Sequence, residues 1–273
     1  MSRCEAPERR CDPACLLTPA LEIAIAAGCR ILEFYEAGFS VAQKSDQTPL
    51  TEADLAAHQL IVSGLQDLTP ALPVLSEEST TIPLSDRCDW ERYWLVDPLD
   101  GTREFIDRTD EFTVNIALIE DQQPVVGIIY APALGLYYYA ARGEGAWKRE
   151  ATNQPQPIQC RRWDGGRVTV AGSRSRHGPA LQRYLNNLHD YELVILGSAL
   201  KSCLVAEGGA DLYARLGPTS EWDTAAAQCL LEEAGGRLTD TRMRPLRYNQ
   251  RPTLLNPHFF ASGAGETDWA RYL

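Results

Sequence analysis

The chain lacks the signatures of several common enzyme classes. It has only four histidines in 273 residues, and none falls in a His-x-Glu-x-x-His spacing, which excludes a zinc hydrolase of that type. Its eight cysteines form no Cys-x-x-Cys pair, so zinc-ribbon and thioredoxin-like motifs are absent. There is no P-loop and no Gly-x-Ser-x-Gly elbow. Gly143-Glu144-Gly145 lacks the third glycine of a dinucleotide loop and reads as a hairpin turn. Positive charge is in deficit, with 26 Lys and Arg against 37 Asp and Glu and a net charge of −11. That balance argues against non-specific nucleic-acid binding. It does not exclude a phosphorylated small molecule, because bound divalent cations can make a local positive site in an acidic protein. No uninterrupted apolar run approaches the roughly 18 residues that span a bilayer. Internal repeats and low-complexity blocks are also missing.

What is present is ordinary globular composition, 44% hydrophobic and 23% charged, in a chain long enough for one large domain or two packed subdomains. Residues 1–13 are polar, with no apolar core of a secretory signal. Residues 1–17 are therefore expected to form a flexible extension. Cys29, Cys203 and Cys229 lie in helical patterns and read as small core residues. A reducing, cytoplasmic setting fits this usage. Contact with the inner membrane face and the oligomeric state are left open.

Thr18-Pro19 predicts a helix start, followed at helical spacing by Leu21, Ala24, Ile25, Gly28, Ile31, Leu32 and Tyr35 up to Gly38. A second helix is expected from about Thr51 through Leu65. Short strands follow at 73–75, 93–96, 112–119, 125–130 and 136–140, an antiparallel meander. After Cys160 the pattern alternates: strands at 168–171, 193–196, 211–214 and 237–239, helices at 179–188, 199–207 and 224–234. The expected architecture is a layered α/β fold, an α+β sandwich of αβαβα type. Its N-terminal subdomain covers 18–160, with an antiparallel sheet and most metal ligands; an α/β subdomain covers 161–273.

The most informative stretch is Trp94-Leu95-Val96-Asp97-Pro98-Leu99-Asp100-Gly101-Thr102. A buried strand ends in two carboxylates and a hydroxyl, and the proline is expected to force the chain out of the strand. Strand ends are common active-site positions in α/β enzymes, and carboxylate oxygens are the hard ligands Mg²⁺ selects. Asp54, Glu77 and Asp223 occupy similar junctions. Each also has a plainer reading: Asp54 completes a Thr51-x-x-Asp54 capping box, Glu77-Glu78 could be a solvated loop, and Asp223 could cap the helix after it. No cap or turn requires Asp97, Asp100 and Thr102 together.

These strings resemble the Mg²⁺-dependent, lithium-sensitive inositol monophosphatase superfamily. Asp97-Pro98-Leu99-Asp100-Gly101-Thr102 matches its first signature, and Glu221-Trp222-Asp223-Thr224-Ala225 is similar to its second. Within it, Pro73-Val74-Leu75-Ser76-Glu77-Glu78, Gly101-Thr102-Arg103-Glu104-Phe105-Ile106 and Gly217-Pro218-Thr219-Ser220-Glu221-Trp222-Asp223 resemble CysQ-type 3'(2'),5'-bisphosphate nucleotidases. So does Leu200-Lys201-Ser202-Cys203. The resemblance covers nearly everything after about residue 18.

The resemblance implies two to three Mg²⁺ ions: one held by Glu77, Asp97 and the Leu99 carbonyl, a second by Asp97, Asp100 and Asp223, and a third, weaker one beside Glu77. Thr102, oriented by Asp54, would activate the attacking water, making Asp54, Thr102 and Glu77 the catalytic set. Gly101 and Thr102 N–H groups would face the phosphate. The implied substrate is the small molecule 3'-phosphoadenosine 5'-phosphate, hydrolysed to AMP. Its sulfated relative is a further possible substrate. Ser198, Lys201, Arg215 and Asp223 would complete the substrate site, with Lys201 the main anchor for the second phosphate and Arg174 and Arg176 weaker candidates. Arg103 replaces the lysine usual in the closest relatives. Inositol monophosphate or fructose 1,6-bisphosphate hydrolysis is the alternative on the same fold. A catalytically silent nucleotide or metal sensor is the alternative of another class.

Overall fold

The computed structural model describes residues 11–43, 49–79, 82–174 and 178–273. In chain order the elements are α1 (Pro13–Ala37), β1 (Val41–Gln43), β2 (Pro49–Thr51), α2 (Glu52–Leu68), β3 (Val74–Ser76), α3 (Leu84–Arg87), β4 (Arg92–Asp100), α4 (Thr102–Ile106), β5 (Thr113–Glu120), β6 (Gln123–Ala131), β7 (Leu136–Ala141), β8 (Ala146–Glu150) and β9 (Gln156–Ile158). There follow β10 (Val168–Gly172), α5 (Pro179–Leu188), β11 (Tyr191–Ile195), α6 (Leu200–Ala206), β12 (Leu212–Arg215), α7 (Ala225–Glu233), β13 (Arg237–Asp240) and β14 (Phe259–Ser262).

Strands β3 to β9 form a seven-stranded sheet in sequence order, with β3 parallel to β4 and the rest an antiparallel meander. A second sheet has the order β11-β10-β12-β14-β13. Both faces of the first sheet are covered, so its central strands alternate between two apolar cores. Trp94 and Val96, then Val114, Ile116 and Leu118, then Val126 and Ile128, pack towards α1 and α2. Tyr93 and Leu95, then Ala117 and Ile119, then Ile129 and Ala131, face a cluster shared with α6, α7 and the second sheet. On the far side of that sheet, α5 supplies Tyr184, Leu185 and Leu188 against Val168, Val170 and Leu212. The layers are therefore αβαβα, as expected. Gly127 lets α7 lie directly on β6, since a Cβ there would sit 2.4 Å from the Ala226 carbonyl oxygen.

Three expectations are corrected. First, helix α1 starts at Pro13 rather than at Pro19: the Asp12 side chain accepts from the Ala14 N–H, and Pro13 takes a first-turn position that needs no N–H partner. Second, residues 13–17, expected within the flexible extension, are therefore helical. Pro19 lies inside the helix. By length and composition alone α1 is apolar enough to cross a membrane. The helix is a core element, with Leu16, Ala20, Ala24, Ala27 and Ile31 buried in the first apolar cluster. Third, β4 continues through Pro98 to Asp100. Strand β14, absent from the sequence expectation, inserts between β12 and β13.

Candidate active site

The two carboxylates of the opening motif are set by a bulge. β4 pairs with β5 in register down to Asp97 opposite Asn115, and pairing resumes with Asp100 opposite Thr113. Three steps on β4 thus match two on β5, and Pro98 occupies the slack, where a missing N–H costs no ladder bond. Asp97 is buried, and its Oδ1 accepts the Leu99 N–H at 3.1 Å. Gly101 then turns the chain into α4 with φ 89°, a left-handed conformation that favours glycine. A Cβ at this position would meet the Glu111 carbonyl oxygen and the Ser198 Cβ at 3.3 Å each.

Two further acids converge here. Parallel pairing of Ser76 with Val96 brings Glu77, at the head of the 3₁₀ turn Glu77–Ser79, beside Asp97. Asp223 ends the 3₁₀ turn Glu221–Asp223, where its Oδ2 accepts the Ser220 N–H at 2.9 Å in a capping box. Asp223 therefore does not cap the helix after it, whose N-cap is Thr224 with no side-chain capping bond; it closes the box opened by Ser220 instead. One carboxylate oxygen from each of Asp97, Asp100 and Asp223 lies within 4.8 Å of the other two.

The charges in this cluster oppose one another. Burial, followed by the charges of Glu77, Asp100 and Asp223, pushes the Asp97 carboxyl well above the usual range. Burial and the charges of Asp100 and Glu77 push Asp223 up to about 7. A divalent cation removes both penalties, and a donor set made only of hard oxygens suits Mg²⁺ or a similar ion. The residues therefore fit a metal.

Thr102 opens α4 next to this triad, and its hydroxyl donates to Asp54 Oδ1 at 3.3 Å. Asp54 is buried at the start of α2. Its other oxygen, Oδ2, accepts the Thr51 N–H at 2.7 Å and the Thr51 hydroxyl. The predicted capping box forms, and it leaves Oδ1 facing Thr102.

From the second sheet, the loop after β11 delivers Ser198 with φ 50°. Its hydroxyl donates to Asp100 Oδ2 at 2.6 Å and is hydrogen-bonded to the Thr113 hydroxyl. Asn115 Nδ2 donates to the same Asp100 oxygen at 3.4 Å. Thr113 and Asn115 are supporting residues that sequence reasoning did not single out; their only signal was two polar residues in an otherwise apolar strand. Lys201 is buried, donates to the Ser198 carbonyl, and has its Nζ 5.4 Å from the centre of the Tyr213 ring. Arg215, at the end of β12, donates to the Thr219 hydroxyl at 2.6 Å.

A cavity of ≈ 380 Å³ connects these groups, lined by Glu77, Asp97, Leu99, Asp100, Gly101, Thr102, Ser198, Lys201, Arg215 and Asp223. Of the main expected site residues all but Asp54 reach it, and Asp54 acts one hydrogen bond behind Thr102. Arg103 also lines it. Arg174 instead pairs with Glu111 at 3.4 Å on the exterior, and Arg176 lies outside the described residues.

A five-layer sandwich that brings Asp97 and Asp100 of a bulged strand end together with Asp223 fits a metal-dependent phosphatase, the class to which its family belongs. The chain belongs to the inositol monophosphatase family, whose profile matches residues 12–267. It is 48% identical over 246 residues to the 3'(2'),5'-bisphosphate nucleotidase CysQ of Salmonella typhimurium, covering 89% of this chain and 98% of that protein. CysQ of Escherichia coli K12 is 46% identical, covering 90% and 99%. Among solved structures, CysQ from Bacteroides thetaiotaomicron, described as a bacterial member of the inositol monophosphatase family, superposes with a TM-score of 0.79 at 36% identity. That match covers 92% of this chain and 98% of the other.

Proposed function

We propose that this chain is a 3'(2'),5'-bisphosphate nucleotidase that removes the 3'-phosphate of 3'-phosphoadenosine 5'-phosphate, giving AMP and phosphate. The observation that carries the reading is the Asp97, Asp100 and Asp223 triad beside the Thr102–Asp54 pair, in a chain similar over nearly its whole length to CysQ proteins.

Glu77, Asp97, the Leu99 carbonyl, Asp100 and Asp223 would hold two to three Mg²⁺ ions. When bound, these supply charge neutralisation for the phosphoryl oxygens and acidify a water. Phosphate-monoester hydrolysis has a very high uncatalysed barrier, so such neutralisation is needed. The chain's own groups do the positioning. The attacking water donates to Thr102 Oγ1, whose proton points to Asp54 Oδ1. Asp54 keeps this orientation because its other oxygen is occupied by Thr51. Gly101 and Thr102 N–H groups face the phosphate, and the glycine permits close backbone approach. As the water oxygen bonds to phosphorus, the bond from phosphorus to the ribose 3'-oxygen breaks, and the proton given up by the attacking water is balanced by one taken up on that 3'-oxygen, so that the net products are the 3'-alcohol and phosphate. Lys201, with Arg215, offers the second phosphate its counter-charge and hydrogen-bond donors, and Ser198, its hydroxyl proton held by Asp100, lines the same site. The setting is reducing and cytoplasmic, in keeping with free thiols at exposed Cys11, Cys15 and Cys88, and at Cys29, which is exposed rather than in the core as expected.

The test is phosphate release from 3'-phosphoadenosine 5'-phosphate, inositol 1-phosphate and fructose 1,6-bisphosphate, each with Mg²⁺ and with chelator. The nucleotide is expected to be preferred, and every activity to vanish without metal. Preference for inositol 1-phosphate would overturn the substrate, and full activity in chelator would overturn the metal assignment.

A further inference from the structure

A nucleobase needs an apolar surface to leave water, and the carboxylates, Lys201 and Arg215 offer none. The same cavity is also lined by Trp222 and Leu255. Leu255 is 46% exposed. An exposed leucine alone is ordinary, but this one lies on a segment fastened to the metal-site turn from both sides.

Leu255 stands opposite Ser220 in an antiparallel bridge, two residues from Trp222 and three from Asp223. The Glu221 N–H donates to the Leu254 carbonyl, and the Asn256 N–H to the Thr219 carbonyl, both at 2.8 Å. The Asn256 side chain donates to the Ser220 carbonyl at 2.7 Å and to the Thr224 hydroxyl at 2.8 Å. Beneath this, the fully buried Arg87 guanidinium donates to the carbonyls of Arg251 at 2.9 Å and Pro252 at 3.0 Å. These bonds fix the backbone that carries Leu255, so the contact forms without rearranging the segment.

We propose that Leu255, presented beside Trp222, is the apolar contact for the nucleobase and sets the preference for nucleoside bisphosphates over phosphorylated polyols. The inference rests on the nucleotidase reading and deepens it. A flat heterocycle buries surface against leucine and indole. A polyol ring carries hydroxyls all round and gains nothing there. Leu255 makes no contact with the reacting atoms in this role and acts on binding alone.

The test compares Leu255→Ala with the parent on adenosine 3',5'-bisphosphate and on its abasic analogue, 1,4-anhydroribitol 3,5-bisphosphate. The expected result is a KM for the nucleotide raised about tenfold with kcat unchanged, and unchanged constants for the abasic compound. Leu255→Met should restore the parent KM. An equal loss on both substrates, or no change on the nucleotide, would overturn the inference while leaving the nucleotidase reading in place. A parent enzyme that prefers inositol 1-phosphate to the nucleotide would overturn both. The side chain is half-exposed, so an unchanged melting temperature accompanies the expected result.

Discussion

The Ser198 hydroxyl donates to Asp100 Oδ2 at 2.6 Å, joining two residues 98 positions apart and two different sheets. One sheet thereby orients a carboxylate that the other sheet carries. Groups behind metal ligands fix their orientation and typically contribute 10- to 100-fold in metal affinity or activity. Ser198→Ala should therefore raise the Mg²⁺ concentration for half-maximal rate by about tenfold. A Mg²⁺ titration of phosphate release checks this. An unchanged titration curve would show that Asp100 is held without Ser198.

Asp97 illustrates how function costs stability. Its ionisation in the metal-free fold is opposed by burial and then by Glu77, Asp100 and Asp223. Asp97→Asn removes one of these charges without changing shape. Turnover should fall at least about a thousandfold, because a charge at the centre of the metal cluster is gone. The metal-free variant should melt higher than the metal-free parent at pH 8. Normal activity, or a lower melting temperature, would contradict the assignment.

The pH dependence follows from Asp223, whose carboxyl is pushed up to about 7 from 3.8. A carboxyl with a folded-state value above its unfolded one binds its proton more tightly in the fold. The metal-free protein should thus lose stability as pH rises from about 4 to 7 and level off above. A cation must displace that proton, so apparent Mg²⁺ affinity should weaken as pH falls below 7. Melting curves with and without Mg²⁺ between pH 5 and 8 test both signs. A gap between the two curves that widens towards pH 5 would contradict the scheme.

Lys201 supplies positive charge in a cavity rich in carboxylates. Lys201→Ala should raise KM for the bisphosphate about tenfold or more and affect a simple 3'-monophosphate much less. Equal losses on the two substrates would remove Lys201 from recognition of the second phosphate.

What was legible in the sequence was local. The apolar runs of β5 and β6, the capping box at Thr51 and the acid pair at Asp97 and Asp100 all rest on spacings of a few residues, whereas the capping box from Ser220 to Asp223 was not read from the sequence. The bulge that keeps Pro98 within β4 depends on how β5 aligns opposite it, and no property of Asp97-Pro98-Leu99 alone reveals that. Strand β14 gains its place only by pairing with both β12 and β13. The Ser198 to Asp100 and Asn115 to Asp100 bonds likewise require chain folding before the partners meet. Asp54 lies between these cases, because its cap is read from Thr51 and its second contact, with Thr102, spans 48 positions.

That double role of Asp54 allows catalysis and stability to be separated. Asp54→Asn keeps a side-chain oxygen and nearly the same volume, but it weakens the acceptor for both Thr51 and Thr102. It should lower the melting temperature, since loss of a cap costs about 1 kcal/mol, and lower kcat by about 10² to 10⁴. Thr51→Ala disturbs the same cap and leaves Oδ1 of Asp54 facing Thr102, so it should lower stability with kcat reduced far less. Thr102→Ala removes the hydroxyl while sparing the cap, and should reproduce the kcat loss of Asp54→Asn with little change in melting temperature. Thr102→Ser keeps the hydroxyl and should retain most of the activity. Combining Asp54→Asn with Thr102→Ala should cost scarcely more kcat than either alone, because residues acting as one unit are non-additive. If the two losses multiply, Asp54 and Thr102 act on the reaction independently, and the hydrogen bond between them does not carry the proton path.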